Sequence, residues 1–393
     1  MKNGGRATLL LAAILLTALN LRTALASVSP VYTFIQEDLG IGRAAAGLVV
    51  TLPVLCMALF APLATLVGHR LGRRAMILFS VALIGAATAL RIEGGLFTLF
   101  ASALAVGVGI AAIQALMPEV IKQSFPERSA TINGAYTSSM ALGATVAALA
   151  VVPLTQLSGW PAALSVWSVL ALPALLAWLA LGGIEEVRAP GAADPLRERL
   201  PLRVPRVWMT MAFFAMTSLM YFSVLSWISQ VYEDAGLSPS RAGVALSVFT
   251  GVQILSAFLV PTLANRFPDR RPVLVGVITT TVVALVLITT VPTAAPWTPF
   301  AWAALIGASQ GALFPLALTL PLDNTRTPEM AGRLTSACFL AGYGVASLGP
   351  TTIGAIRDAT GGFTTPLLIL AAIACAQIVL TTRLTPNFYI EDG

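Results

Sequence analysis

The chain has 393 residues, of which 57% are hydrophobic and only 10% charged, far below the roughly 25% charged residues of a soluble domain. That balance excludes a soluble protein and puts the chain in a lipid bilayer. A net charge of +6 would point to nucleic acid in a soluble chain, but here the basic residues fall in short loops between apolar segments and report topology instead.

Twelve apolar segments are long enough to span: 7–30, 44–67, 75–91, 96–119, 130–153, 161–183, 207–230, 241–264, 272–292, 297–321, 332–356 and 363–383. The first follows Lys2 and Arg6 and ends near Ala24-Leu25-Ala26, which imitates a cleavable signal. An internal repeat, described below, gives it a partner and argues that it stays. This segment carries Arg22, about 22 Å along a helix from Ala7 at about 1.5 Å per residue. That depth lies inside a hydrocarbon core about 30 Å thick. A guanidinium there costs at least about 2.5–3.5 kcal/mol, and no other apolar segment has a carboxylate at comparable depth. Two readings fit: the missing anion is the cargo, or the side chain snorkels to headgroups or bonds backbone carbonyls.

The connections are short except for 184–206, a polar stretch with Glu185, Glu186, Arg188, Asp194, Arg197, Glu198, Arg199, Arg203 and Arg206. It divides the chain into residues 1–183, a linker 184–206, and residues 207–393, with six segments on each side. With the N-terminus inside, eighteen of the 23 lysines and arginines fall on the inner side. Both termini and the linker are therefore expected in the cytoplasm, the protein being multi-pass in the inner (plasma) membrane.

The halves repeat. Glu37-Asp38-Leu39-Gly40 recurs as Glu233-Asp234-Ala235-Gly236, and at the same offset Gly47 maps to Gly243, Arg70 to Arg266 and Arg74 to Arg270. Ala115-Leu116-Met117-Pro118 recurs as Ala312-Leu313-Phe314-Pro315. An even number of spans per half gives the repeats one orientation, related by an axis along the membrane normal, with a ligand site near the midplane between them.

Six spans plus six, with a basic loop after spans 2 and 8, resemble the major facilitator superfamily. Its loop signature is matched at Arg70, Gly72, Arg73 and Arg74, whereas Thr65 replaces the first glycine and His69 the acid. The resemblance implies an all-α membrane protein of twelve transmembrane helices, in two six-helix bundles related by pseudo-two-fold symmetry. It also implies a gate at the inner face built on Arg70, Arg73 and Arg74. His69, the single histidine, reads as a pH-sensitive latch or as an interfacial polar residue. A narrower resemblance covers nearly the whole chain. Asn20-Leu21-Arg22 with Ser27-Val28-Ser29-Pro30, Ile113 to Lys122, Gly311 to Leu316 with Asp323, and Tyr221 with Trp227 resemble the cyanate permease and 2-nitroimidazole transporter family. That implies a compact polar solute.

In this superfamily spans 1, 4, 7 and 10 line the cavity, which nominates Arg22, Gln114, Tyr221 and Gln310, with Gln253 and Tyr343 from neighbouring spans. A guanidinium holds an oxyanion with two bonds and keeps its charge, and amides and phenols orient without adding charge. Gln114 and Gln253 read equally as helix-bridging residues, Phe314 as packing at the Pro315 kink, and Trp227 as an interfacial belt residue. Asn20 lies about 200° from Arg22 on a helix and is kept as a supporting residue. Glu119 reads as an i,i+3 ion pair with Lys122, and Asp323 as an acid at the inner end of span 10. Pro153 and Pro350 read as hinges or static kinks.

A transporter of a small anion is thus expected, working by alternating access as a monomer, with the bilayer and a small-molecule substrate as its partners and no nucleic acid. The alternative is export or import of a neutral or weakly polar compound such as a nitroimidazole or drug. A membrane-embedded enzyme or sensor is poorly supported: the sequence lacks H-E-x-x-H, G-x-S-x-G and Walker A motifs and gives no sign of a cofactor or metal site.

Overall fold

The computed structural model describes residues 2–182, 200–264, 266, 267, 269–384 and 390, without the side chains of 2–4, 61, 62, 64–71, 129, 130, 322, 328 and 329. The Arg70 side chain, that of His69 and most of the expected 184–206 linker lie outside the described residues. The described elements are helical throughout, as a bilayer demands of a chain that must satisfy its backbone within each segment.

In order, the helices are α1 (Lys2–Ala26), α2 (Tyr32–Leu39), α3 (Arg43–Leu71), α4 (Arg73–Ala89), α5 (Leu96–Ser124), α6 (Ser129–Ser165) and α7 (Ala171–Ala180). Then follow α8 (Pro205–Asp234), α9 (Pro239–Ala264), α10 (Arg271–Thr290), α11 (Thr298–Asp323), α12 (Pro328–Thr360) and α13 (Thr364–Arg383). Among the described residues eleven stretches are long and apolar enough to cross a membrane. The fifth, Thr131–Ala180, has 50 residues and would be about 75 Å long as one helix. It is broken at Gly159, whose φ of 79° and ψ of 159° leave helical space, a conformation that a residue without Cβ tolerates. Beyond the break the chain turns back: the Trp160 indole donates to Asp38 at the end of α2, and the Trp178 indole donates to Thr17 near the middle of α1.

Pro30 interrupts the first apolar segment. A short 3-10 turn, Ser29–Val31, separates α1 from α2, so that stretch runs on to Gly40, a left-handed cap with φ 62°. Pro153 and Pro350, by contrast, lie inside helices that continue past them.

Two pairs of long contacts run through the middle of the molecule, α3 along α12 and α6 along α9, while α1 packs on α6, α11 on α9 and α8 on α12. Glycines permit two of the approaches that shape the cavity. A methyl at Gly143 of α6 would sit 2.5 Å from the Leu19 carbonyl oxygen of α1, and one at Gly311 of α11 would sit 2.6 Å from the Gln253 Cα of α9.

Candidate functional site

A cavity of about 310 Å³ opens among α1, α6, α8, α9, α11 and α12. Its wall includes Arg22, Asn133, Thr137, Ser138, Ser218, Tyr221, Phe222, Thr250, Gln253, Phe258, Gln310, Phe314 and Tyr343. Arg22, Tyr221, Gln253, Gln310, Phe314 and Tyr343, six of the residues nominated from sequence, therefore meet around one space. The Arg22 guanidinium carbon lies 5.1 Å from the Tyr221 ring centroid and 5.4 Å from that of Phe222. Rings at these distances stabilise a desolvated cation through their faces and leave its N–H edge for a ligand. Among the described residues Arg22 joins no ion pair, and its buried Nη1 has no hydrogen-bond partner.

The same is true of other polar atoms here. Buried Gln253 Nε2, Gln310 Oε1 and Ser218 Oγ have no partner among the described residues. Gln310 is held at its other end, donating to Thr281 Oγ1 at 3.4 Å. Thr145 and Thr250 hydroxyls meet at 2.9 Å and tie α6 to α9 beside the cavity. An aromatic train continues the wall: Phe214 contacts Phe314, Phe339 and Tyr343 at centroid distances of 5.8, 5.4 and 6.2 Å. Phe314 thus packs on aromatic rings while lining the cavity, so its place beside Pro315 is more than a kink filler.

Several expectations are corrected. The Asn20 amide donates to the Leu16 and Leu170 carbonyls at 2.8 and 2.9 Å. It faces away from the cavity because residues two apart on a helix point about 200° apart. Gln114 is half-buried on α5, and α5 contributes no residue to the cavity lining. Trp227 is no belt residue: it is 2% exposed, donates to the Pro350 carbonyl at 2.7 Å and packs on Tyr32 and Phe363. Sequence reasoning missed α6, which lines the cavity with Asn133, Thr137 and Ser138. The polar run Tyr136-Thr137-Ser138-Ser139 in an apolar span was the signal.

The basic residues expected to form a gate sit at one end. Arg73 donates to Glu119 at 2.6 Å and to Gln123 at 2.7 Å, so Glu119 pairs across helices rather than with Lys122. Arg74 donates to the Trp178 and Leu179 carbonyls in the last turn of α7, where helix dipoles favour a cation. The pattern recurs: Arg270 donates to Asp323 at 2.8 Å, and Arg271 to the Thr382 carbonyl at the end of α13 at 3.3 Å. Structurally, Arg74 therefore corresponds to Arg271, one residue further along than the sequence register suggests. Burial pushes the Asp323 carboxyl up from its ordinary value against the pull of Arg270. Hydrogen bonds from Arg271 hold Asp269 below its own.

The opposite end is tied shut. Arg357 donates to Asp234 Oδ2 from both Nε and Nη2, at 3.0 and 2.6 Å. Arg43 reaches Asp234 at 3.5 Å and Asp358 at 3.7 Å. Beneath these, Thr33 donates to Glu233 at 2.5 Å and Ser29 to the Ser226 carbonyl at 2.7 Å. The Arg43, Thr33 and Ser29 contacts join the α1–α3 region to α8 and α12, while the Arg357–Asp234 pair ties α12 to α8.

The description Major Facilitator Superfamily matches residues 10–350. Among curated proteins, the chain is 31% identical to the Uncharacterized transporter YycB of Bacillus subtilis (strain 168), over 92% of this chain and 90% of that one. It is 29% identical to the 2-nitroimidazole transporter of Escherichia coli (strain K12), over 96% and 95%, and 29% identical to Cyanate transport protein CynX of the same strain, over 96% and 97%. Among solved structures, it matches a bacterial homologue of the human lysosomal transporter Spinster, in an inward-facing and occupied conformation. That match has a TM-score of 0.74 at 17% identity, covering 96% of this chain and 97% of that one. A D-xylose–proton symporter matches with a TM-score of 0.74 at 15% identity, covering 97% and 98%. These two likenesses speak for the fold.

Proposed function

This chain belongs to the Major Facilitator Superfamily, a family of multi-pass membrane transporters working by alternating access, and from that premise we propose that its cargo is a small anion, a carboxylate or other oxyanion, anchored by Arg22. The observation that carries the proposal is the unpartnered, buried Nη1 of Arg22 at the cavity. A desolvated guanidinium without a carboxylate gains most from an anion, because binding then restores bonds that burial removed. Neutral donors around it add direction without cancelling its charge. The relatives named for cyanate and 2-nitroimidazole transport support a compact polar cargo.

Counting Thr131–Ala180 as two crossings, divided at Gly159, gives twelve. They form two six-span halves, residues 1–183 and 207–393, with a linker at 184–206. Both termini lie in the cytoplasm of a cell whose inner membrane holds the protein as a monomer. In that frame the Arg73 and Arg270 pairs lie at the inner face, and the Asp234 cluster is an outer lock, closed here. Arg70, Arg73, Arg74 and Asp323 then belong to the inner gate. Gln114, absent from the present lining, is a residue of the cavity in its other state.

A second reading, transport of a neutral nitro compound, is favoured by the aromatic and apolar share of the wall, from Phe222, Phe258, Phe314 and Leu318. Counterflow into proteoliposomes separates the two. Labelled cyanate, nitrate or a small carboxylate should exchange, and the exchange should be blocked by excess of the same anion. Exchange of a neutral nitroimidazole with none of the anions transported would replace the first reading by the second.

A further inference from the structure

We propose that the cargo carries an uncharged hydrogen-bond donor of its own beside the anionic group, as a small hydroxycarboxylate does, and that Gln310 is the residue that selects it. The proposal rests on the anion reading above and narrows it. Gln310 of α11 is 1% exposed, and its buried Oε1 has no partner among the described residues. The other end of its amide is fixed by a relay. Ser309 Oγ donates to the Ile306 carbonyl at 2.9 Å, Thr281 Oγ1 donates to Ser309 Oγ at 2.9 Å, and Gln310 Nε2 donates to Thr281 Oγ1 at 3.4 Å. Each hydroxyl has one proton to give, so the relay leaves Thr281 only lone pairs for the amide. The nitrogen of Gln310 is drawn toward α10, and its carbonyl oxygen is left over in a residue that lines the cavity. The hydrogen-bond network thus sets the polarity of the amide.

A bare oxyanion bound by Arg22 does nothing for that oxygen. Two acceptors cannot bond each other, and Gln310 Oε1 would stay unsatisfied, a cost that native structures rarely keep without a use. A donor on the cargo removes it. The other unpartnered groups of the wall complete the match. Gln253 faces α11 closely, a methyl at Gly311 meeting its Cα at 2.6 Å, and it offers Nε2, a donor without a partner among the described residues. Ser218 of α8 is 1% exposed and its hydroxyl is likewise unpartnered. Thr210, Thr217 and Ser226 of the same helix donate instead to the carbonyl four residues back, a common resting place for a helix hydroxyl. Arg22, Ser218, Gln253 and Gln310 all line one cavity. Arg22 Nη1 and Gln253 Nε2 donate to an oxyanion, Gln310 Oε1 accepts from the cargo, and Ser218 can do either. The donor on the cargo is neutral. Among the described residues no Asp or Glu lines the cavity, so an ammonium would add a second unbalanced cation beside Arg22. A hydroxyl meets that condition.

Thermal-shift titrations of the purified full chain with glycolate, methoxyacetate, acetate and glycolamide test both axes, since a ligand of the folded state raises the melting temperature with its occupancy. Methoxyacetate keeps the charge and replaces the hydroxyl proton by a methyl, acetate drops the hydroxyl, and glycolamide keeps the hydroxyl without the charge. Glycolate should bind at least about tenfold tighter than methoxyacetate and acetate, because a site with a buried acceptor rejects an analogue that leaves it unpaired. It should also bind at least about tenfold tighter than glycolamide. Acetate or methoxyacetate matching glycolate would overturn the donor class while leaving the anion reading intact. Glycolamide matching glycolate would overturn the anion reading while leaving the match between donor and acceptor. No shift with glycolate up to about 10 mM would reject the proposal outright, as so weak a ligand contributes almost nothing to stability. Gln310→Met keeps the length of the side chain without its acceptor and should bring the glycolate-to-acetate affinity ratio to about one. Thr281→Val frees the amide to turn and should lower the same ratio several-fold. A lower ligand-free melting temperature with the ratio kept in both variants would make Gln310 structural.

Discussion

Asp234→Asn is the sharpest probe of the closed end. Asp234 takes two bonds from Arg357 and faces Arg43 at 3.5 Å. Its side chain is 27% exposed and that of Arg357 17%, so solvent screens the pairs and neither counts as a deeply buried bridge. Exposed pairs contribute about 0.2–1 kcal/mol each, with two-bond guanidinium geometry at the upper end. The Arg357 bonds tie α12 to α8 within one half and set the position of the Asp234 carboxylate, so only the Arg43 pair closes this end across the halves; it contributes about 0.2–1 kcal/mol, and losing it shifts the access equilibrium by up to about fivefold. Ser29 reports the change, being 1% exposed beneath the cluster with its hydroxyl on the Ser226 carbonyl. A cysteine placed there, with Cys56, Cys338 and Cys375 replaced, should react with a maleimide in detergent up to about fivefold faster in Asp234→Asn. High salt should move the parent toward the variant, since half-exposed charges are screened. The control is Asp269→Asn, whose pair with Arg271 lies at the other end and whose loss should leave the rate alone. An unchanged rate in folded Asp234→Asn would show that the cluster does not hold the lock.

Further outcomes follow from the same geometry. Glu119→Gln should slow transport less than Arg73→Ala, because Arg73 keeps its bond to Gln123 in the first variant and loses both in the second; equal rates in both would mean that the pair does not gate. Gly143→Val should lower the melting temperature and weaken substrate binding together, since the side chain meets the Leu19 carbonyl one turn from Arg22 and overpacking costs about 1–3 kcal/mol. Cysteines at Glu127 and Ala294, both exposed, should label from opposite sides of intact cells; labelling of both from outside would invert or break the proposed topology.

Most of the spans were legible because a membrane segment is defined by the length and apolarity of its own residues. The break at Gly159 falls between the expected spans 130–153 and 161–183; what the sequence did not show is that the helix runs on past Pro153 and that one glycine's backbone makes the turn. Arg22 stood out since a charge at that depth has no cheap explanation. Helix spacing put Asn20 on the other side of α1 from Arg22, and its amide does bond Leu16 and Leu170 there; the face of α6 with Asn133, Thr137 and Ser138 lines the cavity unannounced. Which face of a helix meets the cavity depends on neighbours such as Leu170, which sequence order does not reveal. The Glu119–Lys122 expectation failed for the same reason, as a local pair is visible in sequence and Arg73 across a helix interface is not. The Arg74–Arg271 correspondence was hidden by a single extra residue in the second basic loop.

Arg22 carries the functional account, and its variants test it most directly. Charge-assisted bonds contribute roughly 1.5–3 kcal/mol, so removing the guanidinium should weaken anion binding by at least about tenfold. Arg22→Gln should fold and express normally, losing two ring contacts but also an expensive intramembrane charge. Arg22→Lys should be impaired despite its charge, because an ammonium lacks the planar two-bond edge. The measurement is uptake of the identified anion into proteoliposomes by wild type and both variants, with folding checked by gel filtration. The account predicts no uptake above empty liposomes for Arg22→Gln and reduced uptake for Arg22→Lys. Wild-type uptake by well-folded Arg22→Gln would contradict it and make Arg22 a structural residue.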